Sequence, residues 1–103
     1  MTPVGIDAVE IWTGKLQLDL PGTFAPVKDE DPDKYRKGIG LEYSSFPDTY
    51  EDIVTMGANA AKRLMERREL TPEDIGRIDV ATESAFDHSK PVSTYIAGCL
   101  EQY

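Results

Sequence analysis

The sequence holds only one cysteine, Cys99, and one histidine, His88. A lone cysteine cannot close an internal disulfide, and no hydrophobic targeting run follows Met1, so nothing in the pattern predicts export. Long hydrophobic runs are missing too, since no apolar stretch approaches the ~20 residues needed to span a bilayer. Positive charge is scarce: Lys and Arg number 11 against 19 Asp and Glu, for a net charge of −8. No basic stripe offsets that field, which excludes nucleic acid and anionic membrane surfaces as expected partners and leaves a cytoplasmic chain. Lysine is sparse, with only Lys15, Lys28, Lys34, Lys37, Lys62 and Lys90. Dense carboxylates fit an ordinary cytosolic protein or a salt-adapted one, and the lack of lysine favours the salt-adapted source.

What is present suffices for a folded core. Hydrophobic residues make up 40% of the chain and include Trp12, five Tyr and three Phe, a composition that argues against disorder. Yet 103 residues make one small domain, too little to enclose a large site with two substrate pockets.

The alternation of Val4, Ile6 and Ala8, followed by Ile11 and Trp12, predicts a first strand with one buried face. Leu16 to Phe24 is expected to be loop, because Pro21-Gly22 breaks any helix there. Asp31 as cap, Pro32 at the first helical position and Gly38 as terminator predict one or two helical turns. Gly40 to Phe46 is expected to be extended. Thr49 to Asp52 resembles a capping box opening the strongest helix, about Glu51 to Arg68, with Ile53, Met56, Ala60 and Leu64 as its apolar stripe. Gly57, Ala58, Ala60 and Ala61 let that helix approach a neighbour closely, while Lys62, Arg63, Glu66 and Arg67 cover its wet side. Thr71-Pro72 opens a short turn ending near Gly76. Ile78 to Thr82 predicts a second, buried strand, and Pro91 starts a last helix carrying Val92, Tyr95, Ile96, Cys99 and Leu100. Strand, helix, strand and helix define an α/β chain with crossover connections.

In open α/β sheets reactive groups gather beyond the carboxyl ends of strands, and Glu83 follows the second predicted strand. Position alone fits a helix cap or an ion-pair partner equally well. The residues around it are more specific. Ala81-Thr82-Glu83-Ser84, followed by Asp87, Ser89 and Lys90, resembles the surroundings of the catalytic glutamate in 3-hydroxy-3-methylglutaryl-coenzyme A synthases. Three other stretches are similar to that family in the same order. They are Val4-Gly5-Ile6 leading to Glu10-Ile11; Asp31 and Lys34-Tyr35 ahead of Gly38-Ile39-Gly40; and Glu51 to Met56 running into Asn59 to Arg63.

The resemblance implies the amino-terminal portion of a thiolase-like fold, an incomplete half-repeat in which residues 1–103 are one segment of a larger domain. It also implies a reaction in which acetyl-coenzyme A acylates a cysteine and the acetyl group adds to acetoacetyl-coenzyme A, giving 3-hydroxy-3-methylglutaryl-coenzyme A for the mevalonate route to isoprenoids. Glu83 would be the general base, in a dry site that raises its basicity. Asp31, Pro32, Asp33 and Lys34 would contact coenzyme A, a reading consistent with phosphate held by a helix amino terminus and a lysine. The competing reading of that segment is an ordinary solvated cap with a surface lysine, and Pro32 and Asp33 depart from the small residues of some relatives.

Coenzyme A thioesters are substrates in this reading and no resident cofactor or metal is expected; the complete enzyme is expected to be a homodimer, with acetoacetyl-coenzyme A thiolase a possible partner. Cys99 is set aside as a buried structural thiol, because the family's cysteine follows a third strand beyond Glu83. His88 is expected to be a solvent-facing loop residue. The acids from Asp29 to Asp33 lack the spacing of a calcium loop.

The nucleophilic cysteine, the catalytic histidine and the strands between the first two are expected to lie beyond Tyr103, so the segment alone should be inactive and not form a stable monomer. A different class of protein, a stand-alone interaction module derived from the same fold, is the alternative; a related ketoacyl synthase is a weaker one.

Overall fold

The computed structural model describes residues 1–102, and they divide into two compact units. One combines Met1–Trp12 with the chain from Glu51 onward, and the other is Thr13–Tyr50.

The first unit is built on two helices, α2 (Ile53–Arg68) and α3 (Val92–Leu100). Helix α2 is capped by Asp52 rather than Thr49, and so begins at Ile53 rather than Glu51, because Asp52 is the residue that satisfies the orphan amides. The Asp52 carboxylate accepts from the Thr55 amide at 2.7 Å, and Thr55 Oγ1 accepts from the Asp52 amide at 2.8 Å, closing a capping box. At the other end Glu69 takes the left-handed conformation, with φ 54°, and Arg67 and Arg68 sit where the helix dipole favours positive charge.

The buried face of α2 is Val54 and Met65, with Ala58 and Ala61 between them, a spacing of four, three and four residues. The predicted stripe of Ile53, Met56, Ala60 and Leu64 is only half-buried. The face turned because the small residues admit α3. A Cβ on Gly57 would lie 2.6 Å from Ile96 Cδ1, so the helices touch at a position where only glycine fits without a shift. Val92, Ile96 and Leu100 complete the core from α3, and Ile75, Ile78, Val80, Ala85 and Tyr95 pack around it. Between the helices, Pro72–Asp74 forms a 3₁₀ turn capped by Thr71 and Asp74, as its sequence predicts.

Neither Val4–Trp12 nor Ile78–Thr82 forms a strand. A strand exists only when its N–H and C=O groups meet a neighbouring ladder, and among the described residues neither segment has one. Ile78 and Val80 still pack half-buried against the core. The amino-terminal segment is fastened by charge instead. Arg67 donates to the Val9 carbonyl at 2.6 Å and meets Glu10 at 3.1 Å, while Arg68 meets Asp7 at 2.8 Å. Glu10 has its side chain only 11% exposed between Arg63 and Arg67, so the predicted wet side of α2 partly covers another segment.

The second unit contains the sheet. Strand β1 (Leu16–Asp19) pairs antiparallel with β2 (Tyr43–Phe46), placing Leu16 opposite Phe46 and Asp19 opposite Tyr43. The loop expected from Leu16 onward is therefore strand for four residues before the chain turns. The turn is a wide π-type coil, Leu20–Phe24, with Asp19 accepting from the Gly22 amide at 2.8 Å; it runs into a single turn, α1 (Ala25–Val27). A second wide turn, Lys34–Ile39, ends at Gly40, whose φ of 75° suits glycine, rather than at Gly38. Its buried residues are few: Ala25, Pro21 and Tyr35, with the Tyr35 ring edge-on to Phe24 at 6.1 Å.

Candidate active site

Glu83 begins the loop that joins Thr82 to α3. Three features hold this loop. The Ser84 amide donates to Thr82 Oγ1 at 3.0 Å, turning the chain at Glu83. Ala85 packs against the core. Asp87 then gathers three donors: the amides of Ser89 at 2.8 Å and Lys90 at 3.1 Å reach Oδ1, and the Tyr95 hydroxyl reaches Oδ2 at 2.7 Å.

These bonds, that from Tyr95 foremost, hold the Asp87 carboxyl below the usual carboxylate range. The same bond pushes the Tyr95 phenol above its ordinary value. The Tyr95 ring also lies against Phe86, with centroids 4.9 Å apart, and Lys90 Nζ sits 4.1 Å from its centre.

Glu83 itself is exposed. The dry environment expected around it is not formed by these residues, because the loop lies on the rim of a core only two helices thick. The structure places Glu83, Asp87, Ser89 and Lys90, singled out by their pattern, on one loop, and adds Tyr95, which sequence reasoning missed. The signal available was an Asp two and three residues ahead of paired amides, which makes an Asx-type turn, and an aromatic hydroxyl in the opening turn of the helix that follows.

Asp31, Pro32, Asp33 and Lys34 belong to the other unit. The turn Lys34–Ile39 has Asp33 at its N-cap position, without a side-chain capping bond, rather than Asp31; the Asp31 carboxylate instead accepts from the Asp33 amide at 2.9 Å, in an Asx-type turn just ahead of it. The Lys34 ammonium is 2.8 Å from Glu30 and lies 5.5 Å from the centre of the Tyr35 ring. Glu30 also accepts from the Tyr35 hydroxyl. Lys34 is raised above its ordinary value by the Glu30 carboxylate, and Glu30 is lowered by the Lys34 ammonium and then the Tyr35 hydroxyl. Asp33 faces Lys37 at 2.6 Å. The segment is an ion-paired cap whose one lysine is already engaged.

Cys99 is exposed, not buried. The residues that α3 buries are Val92, Ile96 and Leu100, successive turns that drift to one side of the helix and leave Cys99 beyond the stripe. His88 is exposed in the loop, as expected.

A family model for the amino-terminal part of hydroxymethylglutaryl-coenzyme A synthase matches residues 2–102. The chain is 83% identical to a hydroxymethylglutaryl-CoA synthase of Haloferax volcanii across 99% of its own length and 23% of that relative. It is 33% identical to a cytoplasmic hydroxymethylglutaryl-CoA synthase of Gallus gallus, covering 96% of this chain and 19% of the relative. Among solved structures it is similar to MvaS in complex with 3-hydroxy-3-methylglutaryl coenzyme A, with a TM-score of 0.85 and 35% identity over 94% of this chain and 23% of that one. A second, an HMG-CoA synthase complexed with CoA, gives a TM-score of 0.74 at 33% identity over 91% of this chain and 24% of that one.

The fold is therefore the amino-terminal portion of a thiolase-like one, with helices and strands mixed. The chain belongs to the hydroxymethylglutaryl-coenzyme A synthase family, and it spans about a fifth to a quarter of the length of the relatives described above.

Proposed function

We propose that the full-length protein condenses acetyl-coenzyme A with acetoacetyl-coenzyme A to 3-hydroxy-3-methylglutaryl-coenzyme A, in the mevalonate route to isoprenoids, with Glu83 as general base. The observation that carries this reading is the Ala81-Thr82-Glu83-Ser84 motif of a chain in this family, set at the head of a loop that Asp87 ties down.

The chemistry needs such a group. A cysteine thiol takes the acetyl group and free coenzyme A leaves. Removing a proton from the acetyl methyl then requires a positioned carboxylate, and the resulting carbon forms a bond to the ketone carbon of acetoacetyl-coenzyme A. The new alkoxide takes a proton, which a protonated Glu83 can return, and water then splits the thioester to the cysteine, freeing the thiol and leaving a carboxylate on a product still joined to coenzyme A through its other thioester. Residues 1–102 supply the base and its placement. The cysteine and the enclosure that would raise the basicity of Glu83 lie outside them, so the segment by itself is inactive.

Residues 1–103 form one segment of a thiolase-like domain in this reading. Asp31, Pro32, Asp33 and Lys34 contact coenzyme A, supported by their place in the family's Asp-x-x-Lys segment. Lys34 would exchange Glu30 for a phosphate, which an exposed pair permits. Coenzyme A thioesters enter as substrates, and no resident cofactor belongs to the mechanism. The full-length enzyme works as a cytoplasmic homodimer, with acetoacetyl-coenzyme A thiolase as its supplier and candidate associate. The net charge of −8 and the identity with the Haloferax relative support a salt-adapted protein. Its melting temperature should then rise with salt, as screening relieves self-repulsion.

Glu83→Ala in the full-length enzyme tests the central assignment. Acetylation of the cysteine is expected to continue, while condensation falls by about 10²-fold or more, the loss typical of a removed general base. Near-normal condensation would overturn it.

A further inference from the structure

We infer that Tyr95 is a positioning residue for Glu83, acting through Asp87. The inference rests on the reading of Glu83 as general base.

The geometry leads there in three steps. Asp87 stands four residues beyond Glu83 and is the point at which the loop is tied to a helix, through the 2.7 Å bond from Tyr95. Its other oxygen accepts both the Ser89 and Lys90 amides, so Asp87 also shapes the chain that enters α3. Tyr95 is itself fixed, half-buried against the core with its ring on Phe86, which lies three residues from Glu83. One side chain thus holds the loop twice, by its ring at Phe86 and by its hydroxyl at Asp87. The Lys90 ammonium covers the same ring.

A general base must reach a carbon-bound proton at close range, and a misplacement of about 1 Å can cost as much as 10²-fold in rate. Glu83 is exposed, with the chain turned at it by the Ser84–Thr82 bond. Its aim is therefore set by the anchors at Thr82, Ala85, Phe86 and Asp87, of which Tyr95 controls two.

The test uses the full-length enzyme. Tyr95→Phe keeps the ring and removes only the bond to Asp87. It is expected to lower kcat for condensation about tenfold, a part of the loss a full misplacement gives, while KM for acetoacetyl-coenzyme A and the rate of cysteine acetylation stay within about twofold of the parent. An unchanged condensation rate would overturn the inference, and so would an equal fall in acetylation and condensation, which marks general loosening. In an Asp87→Ala background Tyr95→Phe should have no further effect, since the bond is already gone; additive losses would contradict the proposed route through Asp87. Asp87→Asn retains oxygen for the two amides and a polar partner for the phenol. It should keep most of the activity that Asp87→Ala loses, and equal losses in the two would again contradict the inference. Glu83→Ala run alongside separates the two readings. If it condenses normally, the base assignment fails; if it is inactive while Tyr95→Phe is normal, only the positioning role fails.

Discussion

The two units of this chain are held by different forces. The unit formed by Met1–Trp12 and the chain from Glu51 on buries five apolar side chains against one another, and Val54, Met65, Val92, Ile96 and Leu100 lock α2 to α3. The Thr13–Tyr50 unit buries little. Its order comes from a four-residue strand pair, turn hydrogen bonds, the Glu30–Lys34–Tyr35 cluster and small residues at close contacts. The candidate base belongs to the first kind of unit and the candidate coenzyme A segment to the second. A catalytic carboxylate requires fixed placement, which apolar packing behind the loop supplies. A contact with a long, flexible substrate tolerates a segment whose polar bonds can be exchanged.

The largest expected effect tests the packed unit. Met65 is 2% exposed at the centre of the core, and Met65→Ala should cost about 2–5 kcal/mol of stability. Chemical denaturation of the full-length protein, followed by a probe within residues 54–100, measures it. A loss under about 1 kcal/mol would erase the contrast between the units.

A smaller effect is expected where the second unit depends on close backbone contact. A Cβ on Gly14 would lie 2.5 Å from the Phe46 carbonyl carbon and oxygen and 2.8 Å from the Pro47 nitrogen. Backbone cannot swing aside as a side chain does, so Gly14→Ala should cost about 1–3 kcal/mol, localised in faster amide exchange of β1 and β2. If this substitution proves more damaging to global stability than Met65→Ala, the second unit is the more tightly built of the two.

The smallest effect is a pH window. Asp87 is lowered from its ordinary value, so its contribution is present above the usual carboxylate range and lost as pH falls through its folded value. Tyr95 is raised, so its contribution is complete below the ordinary phenol range and lost as pH climbs through its folded value. The tie between them should therefore persist across the neutral range and weaken at both extremes. The absorbance of the Tyr95 phenol, taken as the difference from Tyr95→Phe, would follow the alkaline limb. An ordinary phenol titration would show the bond to be absent in solution.

How much of this was legible in the sequence depended on whether a residue's partner lay nearby. Helix α2, helix α3 and the Thr71 turn are local, fixed by caps and periodicity within a few residues, and their sequence predicts them. The segments Val4–Trp12 and Ile78–Thr82 carry strand composition, yet strand formation is a property of pairs, and composition does not reveal a missing neighbour. The reverse error occurred at Leu16–Asp19, where Pro21-Gly22 masked a strand whose partner, Tyr43–Phe46, lies well beyond it in the chain. Cys99 was misplaced because an apolar helix face was read without knowing which side was covered. At the candidate site, Glu83 and Asp87 stood out through their motif, whereas the Tyr95 hydroxyl crosses from helix to loop and no short pattern announces it.

The Glu83 loop is fastened to the packed unit rather than merely adjacent to it. The Ser89 and Lys90 amides report on this directly, since both donate to Asp87. Native-state hydrogen exchange on the full-length protein should find these two amides protected to a degree approaching that of the α3 backbone, with the protection lost in Asp87→Ala. Exchange of both at the rate of an open loop in the parent protein would contradict the claim.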